Sequence, residues 1–337
     1  MKHSLIFSLD GRDEIVNNIV SNTYVGHLRT QKFSDGELCV DFLDSVRGKR
    51  VFIVSSPNNS DEIMKLNLAI DAAKRGAAKE IIPILPYFPY ARQDKKDQSR
   101  GPIGAKILAE MIENRGATSV IAFDLHADQI QGFFNIPVIH LEGRNVFDDY
   151  INDLIVNEDD SNFVLCGPDA GSGKRVKRMR DQIQNKFGHS LNYVMLDKTR
   201  KAVNVIDEMI IIGDVNGKDV IILDDMVDTG GTLCKAAEVL MENGAKSVRA
   251  IISHGVLSGP AMERIGESVL KELVISDSLA KKESLELCEE DYSEDKCTDI
   301  INGCNKIKII SVTRQIGLAV KAIITEASYE SLRGENK

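Results

Sequence analysis

Short runs of β-branched residues alternate with longer segments of helical spacing, and no other feature constrains the chain as much. RVFIVSS at 50–56 precedes a helical pattern from Asp61 to Arg75, EIIPILPY at 80–87 precedes one from Ile103 to Arg115, and SVIAFDLH at 119–126 follows. Strand, helix and strand in repetition make a parallel sheet, because a crossover is needed to return the chain in the same direction. The rhythm returns with FVLCGPD at 163–169, a helix from Gly173 to Lys186, LNYVMLD at 191–197, DVIILDD at 219–225, a helix from Thr232 to Asn243, and SVRAIISH at 247–254. Two similar α/β domains are expected, each a mainly parallel sheet flanked by helices, and 337 residues suit two domains of ordinary size.

An acidic helical segment from Arg144 to Asp160 separates the halves, so the domains are expected at 1–146 and 147–314. Residues 276–306 are rich in charge and poor in large apolar side chains, which reads as an exposed insertion near 279–305 before KIKIISV resumes a strand. From Gln315 to Leu332 apolar residues recur at helical spacing, and residues 315–337 are expected to close the first domain as a helix.

Apolar residues are 43% and charged residues 28% of the chain, the balance of a globular protein. The opening MKHSLIFSLDGRDE meets acidic residues too early for a signal peptide, and no stretch approaches a membrane span, so the cytoplasm is expected. A net charge of −9 opposes general nucleic-acid binding, which needs a basic face, so any phosphate bound should belong to a small molecule. The six cysteines, at 39, 166, 234, 288, 297 and 304, fall at no close metal-ligand spacing and read as reduced thiols.

The strongest local signal is VIILDDMVDTGGT at 220–232, a strand ending in two acids, a glycine-bearing loop and a helix start. Ligands of open parallel sheets sit at the carboxyl ends of strands. Asp228, Thr229, Gly230, Gly231 and Thr232 offer consecutive N–H groups and hydroxyls to a phosphate, while Asp224 and Asp225 suit sugar hydroxyls. A capped turn satisfying only the helix's own amides is the other open reading.

This segment resembles the phosphoribosyl pyrophosphate motif shared by phosphoribosyltransferases and ribose-phosphate diphosphokinases. DLHADQIQGFF at 124–134 resembles the diphosphokinase signature specifically. Asp124 and His126, at i and i+2 past a strand, are placed to reach a metal at the sheet edge. The resemblance assigns a Mg²⁺ contact to His126 and to Asp169 of a pyrophosphate loop. That loop comprises Asp169, Ala170, Gly171, Ser172 and Gly173, where the family has two adjacent glycines after the aspartate.

The segment DKTRKAVN at 197–204 ends a strand and reads as a mobile, hairpin-like loop carrying Lys198, Arg200 and Lys201. The resemblance makes Lys198 and Arg200 catalytic, closing over the reacting phosphates, with Arg200 also serving ribose 5-phosphate. It makes FSDGE at 33–37 and YFPYARQD at 87–94 ATP-binding segments, with contacts from Asp35, Gly36, Glu37, Arg92 and Gln93. It further implies ATP and ribose 5-phosphate as substrates, ATP lying between the domains, and a homo-oligomer built from dimers, up to a hexamer. The activity so implied is transfer of the β,γ-diphosphate of ATP to the C1 hydroxyl of ribose 5-phosphate. A phosphoribosyltransferase and a non-catalytic regulatory relative are the alternatives.

Overall fold

A computed structural model describes residues 4–19, 23–158, 162–202, 205–279, 285–286, 299–301 and 305–332; at 170, 198–202, 205–208, 285–286, 299–301 and 331–332 it describes the backbone alone. The chain divides into two compact units, 1–142 with 312–337, and 143–311.

The first unit holds β1 (Ser4–Ser8), α1 (Asp13–Ile19), β2 (Tyr24–Val25), a hairpin of β3 (Leu28–Lys32) and β4 (Leu38–Phe42), then β5 (Arg50–Val54), α2 (Ser60–Arg75), β6 (Glu80–Leu85), α3 (Gly104–Arg115), β7 (Val120–Phe123) and β8 (Val138–Leu141). Six of these strands form one sheet in the order β2-β1-β5-β6-β7-β8, every pair parallel. The inner strands are buried on both faces, as a sheet covered by helices on each side requires. The Asn59 side chain accepts from the Glu62 N–H at 3.0 Å to cap α2, whose first turn is acidic and last turn basic, opposing its dipole.

The second unit holds α4 (Arg144–Asn157), β9 (Phe163–Gly167), α5 (Gly173–Phe187), β10 (Asn192–Ala202), β11 (Val205–Ile212), β12 (Asp219–Val227), α6 (Gly231–Glu242), β13 (Ser247–Gly255), α7 (Ala261–Glu267), β14 (Glu272–Ser276), β15 (Leu285–Glu286), β16 (Asp299–Ile301) and β17 (Ile307–Ile310). Its sheet runs β11-β10-β9-β12-β13-β14-β17-β16-β15. From β10 through β17 the pairing is parallel, and antiparallel strands flank both ends. Within the segment expected to be an insertion, the described pieces β15 and β16 extend the sheet edge.

The chain then returns to the first unit as α8 (Thr313–Thr325), beside α1, and the short α9 (Tyr329–Leu332). One closing helix was expected here. Two are found, because Glu326 takes a left-handed conformation (φ 55°) and its N–H closes on the Ala322 carbonyl. Arg50 grips Glu80 through two nitrogens and donates to the Ile323 carbonyl at 3.0 Å, tying α8 to the sheet's amino end.

Both units share one wiring. The first strand pairs with the second on one side, and after an antiparallel detour the chain comes back on the first strand's other side. The order of connection thus reverses between β1 and β5, and between β9 and β12. Such a reversal leaves a crevice at the carboxyl ends of the two strands.

Candidate active site

In the second unit, Asp169 and the loop from Asp224 to Thr232 leave the neighbouring strands β9 and β12 at that crevice. The Asp225 side chain is buried, and its N–H donates to Asp224 Oδ1 at 2.9 Å. Burial, then the charges of Asp225 and Asp169, push the Asp224 carboxyl up to about 7, partly offset by that N–H. Three acids therefore converge where the strands part, and no cation figures among the main influences on Asp224.

The loop past β12 enters its helix through a glycine. Gly230 sits before α6 with φ 74° and, having no side chain, supplies no cap to the amides of the first turn. The Asp228 carboxylate instead accepts from the Ser258 hydroxyl, and Thr229 and Thr232 are exposed. Of the two readings the sequence left open, a cap from the residue before the helix is not what this turn provides. An uncapped helix start with exposed hydroxyls suits a phosphate dianion.

The loop after β9 behaves differently. Asp169 caps a 3₁₀ turn, its Oδ1 accepting from the Ser172 N–H at 3.0 Å while the Ser172 hydroxyl donates to the Asp169 carbonyl at 2.6 Å. Ser172, the residue that departs from the paired glycines, is buried with its side chain turned into the loop's own backbone. Gly167 makes room for it, since a Cβ there would lie 2.6 Å from the Ser172 hydroxyl. Gly171 is exposed, and Asp169 is partly so.

On the other side of β9, pairing with β10 ends at Met195 opposite Gly167, while β10 runs on to Ala202 hydrogen-bonded only to β11. Lys198 and Arg200 ride on this arm, opposite Met209 and Ile206, about 10 and 17 Å beyond the last shared rung at ~3.3 Å per residue. The hairpin-like arrangement expected at 197–204 is found, with strand pairing carried to Ala202 and resumed at Val205 where a loop was expected; residues 203–204 lie outside the described part. Register shifts flank Arg200, and side chains from 198 to 202 and 205 to 208 lie outside the described part.

In the first unit, Asp35, Gly36 and Glu37 form the exposed tip between β3 and β4. The Asp35 side chain accepts from the Glu37 N–H at 3.0 Å, and Gly36 takes φ 93°. Arg92 and Gln93 are exposed on the loop entering α3, where the Gln93 N–H closes on the Tyr90 carbonyl and Gly104 leaves space for the Gln93 amide. Past β7, Asp124 is buried with φ 41° and donates its N–H to the Leu141 carbonyl, whereas His126 is exposed. The Leu125 N–H donates at 3.0 Å to His140 Nε2, which must therefore carry no proton. His140, which the sequence did not single out, thus fixes the backbone that presents His126.

Among the described residues, no three His, Cys, Asp or Glu side chains gather closely enough to cage a metal. No helix there is long and apolar enough to cross a membrane. Cys39, Cys166 and Cys234 are free thiols, and the other three cysteines lie outside the described residues.

Residues 4–116 match the N-terminal domain of ribose phosphate pyrophosphokinase, and residues 194–333 match a phosphoribosyl synthetase-associated domain. The ribose-phosphate pyrophosphokinase of Porphyromonas gingivalis is 42% identical over 311 residues, covering 91% of this chain and 90% of that protein. Its counterpart in Oceanobacillus iheyensis is 46% identical over 279 residues, covering 81% and 84%. The crystal structure of phosphoribosylpyrophosphate synthetase from Mycobacterium smegmatis aligns with a TM-score of 0.82 and 32% identity, over 97% of this chain and 100% of that one. The chain belongs to the ribose-phosphate pyrophosphokinase family.

Proposed function

We propose that this chain moves the β,γ-diphosphate of ATP onto the C1 hydroxyl of ribose 5-phosphate, giving 5-phosphoribosyl 1-diphosphate and AMP. The observation that carries the reading is the crevice between β9 and β12, where an uncapped helix start stands beside converging acids. Ribose 5-phosphate would place its phosphate on Asp228 to Thr232, with Asp224 and Asp225 accepting from the sugar hydroxyls. The C1 oxygen then bonds to the β-phosphorus, the bond from that phosphorus to the oxygen shared with the α-phosphate breaks, and the hydroxyl proton is released. The new diphosphate would lie along Asp169, Ala170, Gly171, Ser172 and Gly173.

Phosphoryl-type transfer asks the protein chiefly to align reactants and to balance charge on the non-bridging oxygens. Lys198 and Arg200 are assigned that balance, with Arg200 also serving ribose 5-phosphate. ATP is assigned to Asp35, Gly36 and Glu37 and to Arg92 and Gln93. Mg²⁺ is the expected cofactor, with Asp169, His126 and Asp124 as its candidate contacts. Partly exposed Asp169 and exposed His126 fit an ion that takes one or two protein ligands and completes its shell with phosphate oxygens and water; buried Asp124 fits less directly. Bound there, the ion would neutralise diphosphate charge.

The working form is read as a cytoplasmic homo-oligomer built on dimers, which light scattering on the purified protein tests. The reaction itself is tested by phosphorus NMR with ATP, ribose 5-phosphate and Mg²⁺. AMP and a ribose-linked diphosphate should appear in equal amounts, and Lys198→Ala should slow both by about 10²-fold. Intact ATP alongside bound substrates would refute the assignment.

A further inference from the structure

Behind the loop at β12, three consecutive peptide carbonyls are each held from the far side. The Asp228 carbonyl accepts from the Ser258 N–H at 3.2 Å, the Thr229 carbonyl from Arg264 Nη1 at 2.6 Å, and the Gly230 carbonyl from the Cys234 N–H at 2.9 Å. In a trans peptide, the C=O and the following N–H point in opposite directions. Anchoring these oxygens therefore aims the N–H groups of Thr229, Gly230 and Gly231 the other way, at the uncapped start of α6. The Cys234 bond is the helix's own. The other two come from the segment after β13, some thirty residues along the chain.

That segment is built around the loop. The Ser258 hydroxyl donates to the Asp228 carboxylate, while Ile265 and the Ala261 carbonyl lie 3.4 and 3.7 Å from where a Cβ on Gly230 would be. A Cβ on Gly231 would meet Arg264 Nη1 at 3.2 Å, so the bare glycine lets the guanidinium reach past it to the Thr229 oxygen. Arg264 is exposed on α7 and supports no core, so stability does not explain its placement.

We propose that Arg264 and Ser258 are positioning residues for the reaction: they hold the Asp228 and Thr229 carbonyls turned back, so that successive amides face the phosphate of ribose 5-phosphate before it arrives. The proposal rests on reading Asp228 to Thr232 as the site of that phosphate. A preset loop spends no binding energy on turning its peptides over, so losing an anchor should weaken binding of this one substrate.

Steady-state kinetics on the full-length enzyme tests both layers. Arg264→Ala should raise KM for ribose 5-phosphate about tenfold, the scale of a charge-assisted hydrogen bond, with kcat and KM for ATP within about twofold. Ser258→Ala should raise the same KM about threefold. Arg264→Gln, which keeps a neutral donor, should recover most of the loss, as should Arg264→Lys. If lysine restores KM and glutamine does not, the guanidinium acts by charge on the phosphate itself and the positioning role is wrong. Equal changes in both KM values would likewise overturn it. Thr232→Ala probes the underlying reading: if it leaves KM for ribose 5-phosphate unchanged, the phosphate site lies elsewhere. If Thr232→Ala raises that KM and Arg264→Ala does not, the site stands and this inference falls.

Discussion

Asp224→Asn is expected to make the ligand-free protein more stable in a pH-dependent way. The carboxyl sits at about 7 in the folded chain, raised by burial and by Asp225 and Asp169, against an unfolded value near 3.8. Below both values the proton is held in either state and nothing is gained by removing the acid. As pH rises through the interval the unfolded chain ionises freely while the folded one resists, so the folded state loses stability until about pH 7, after which the loss is constant. Three pKa units correspond to about 4 kcal/mol as an upper limit. Sharing of the charge with Asp225 and relaxation around it leave about 2 kcal/mol as a working figure. Asparagine keeps the oxygen that accepts from the Asp225 N–H, so the substitution removes charge without orphaning a donor. Thermal unfolding followed by circular dichroism should show the variant melting about 4–8 °C higher near pH 8, under half that gain near pH 5, and none near pH 3.5. A gain independent of pH, or a lower melting point near pH 8, would refute the claim that acids are held together here at a cost to stability. Turnover should fall in the same variant, since a sugar-hydroxyl acceptor is weakened.

Three further outcomes follow from the loops. Gly230→Ala places a Cβ at φ 74°, which should cost about 1–2 kcal/mol in urea unfolding and raise KM for ribose 5-phosphate. Ser172→Gly removes the hydroxyl that closes the Asp169 turn and should cost about 1 kcal/mol, while turnover stays within about threefold because that hydroxyl faces the loop's own backbone. His126→Ala should raise the Mg²⁺ concentration for half-maximal rate several-fold while leaving the melting temperature within about 1 °C, as suits an exposed side chain.

The alternation of β-branched runs and helical spacing revealed β5, β6, β7, β9, β12 and β13, whose burial demands an unbroken apolar run, but it passed over β1 and β14, which are buried as fully. It did not reveal β3, whose residues Arg29 to Lys32 are exposed, or the two-residue β2, since such strands carry no burial signal. The loops carrying Asp169 and Asp224 to Thr232 were legible as motifs, because a strand end, glycines and a helix start follow one another within a few positions. What held those loops was not legible. His140 reaches back 15 residues to the Leu125 N–H and Arg264 reaches back 35 to Thr229, and no local pattern encodes a partner that distant. The left-handed turn at Asp124 was equally hidden, since nothing in the residue's type demands it.

The first unit is interrupted: it needs both 1–142 and 312–337, with 143–311 between them. A chain emerging from the ribosome amino end first therefore completes the later unit before the earlier one. Until α8 is made, the face of α1 that it covers stays bare, and Arg50 lacks the Ile323 carbonyl. At roughly 5–20 residues per second, this leaves the amino-terminal sheet unfinished for on the order of ten seconds or more while the rest is synthesised. A nascent chain stalled just short of α8 would expose that apolar seam to chaperones, so the order of synthesis and the order of folding run in opposite directions in this protein.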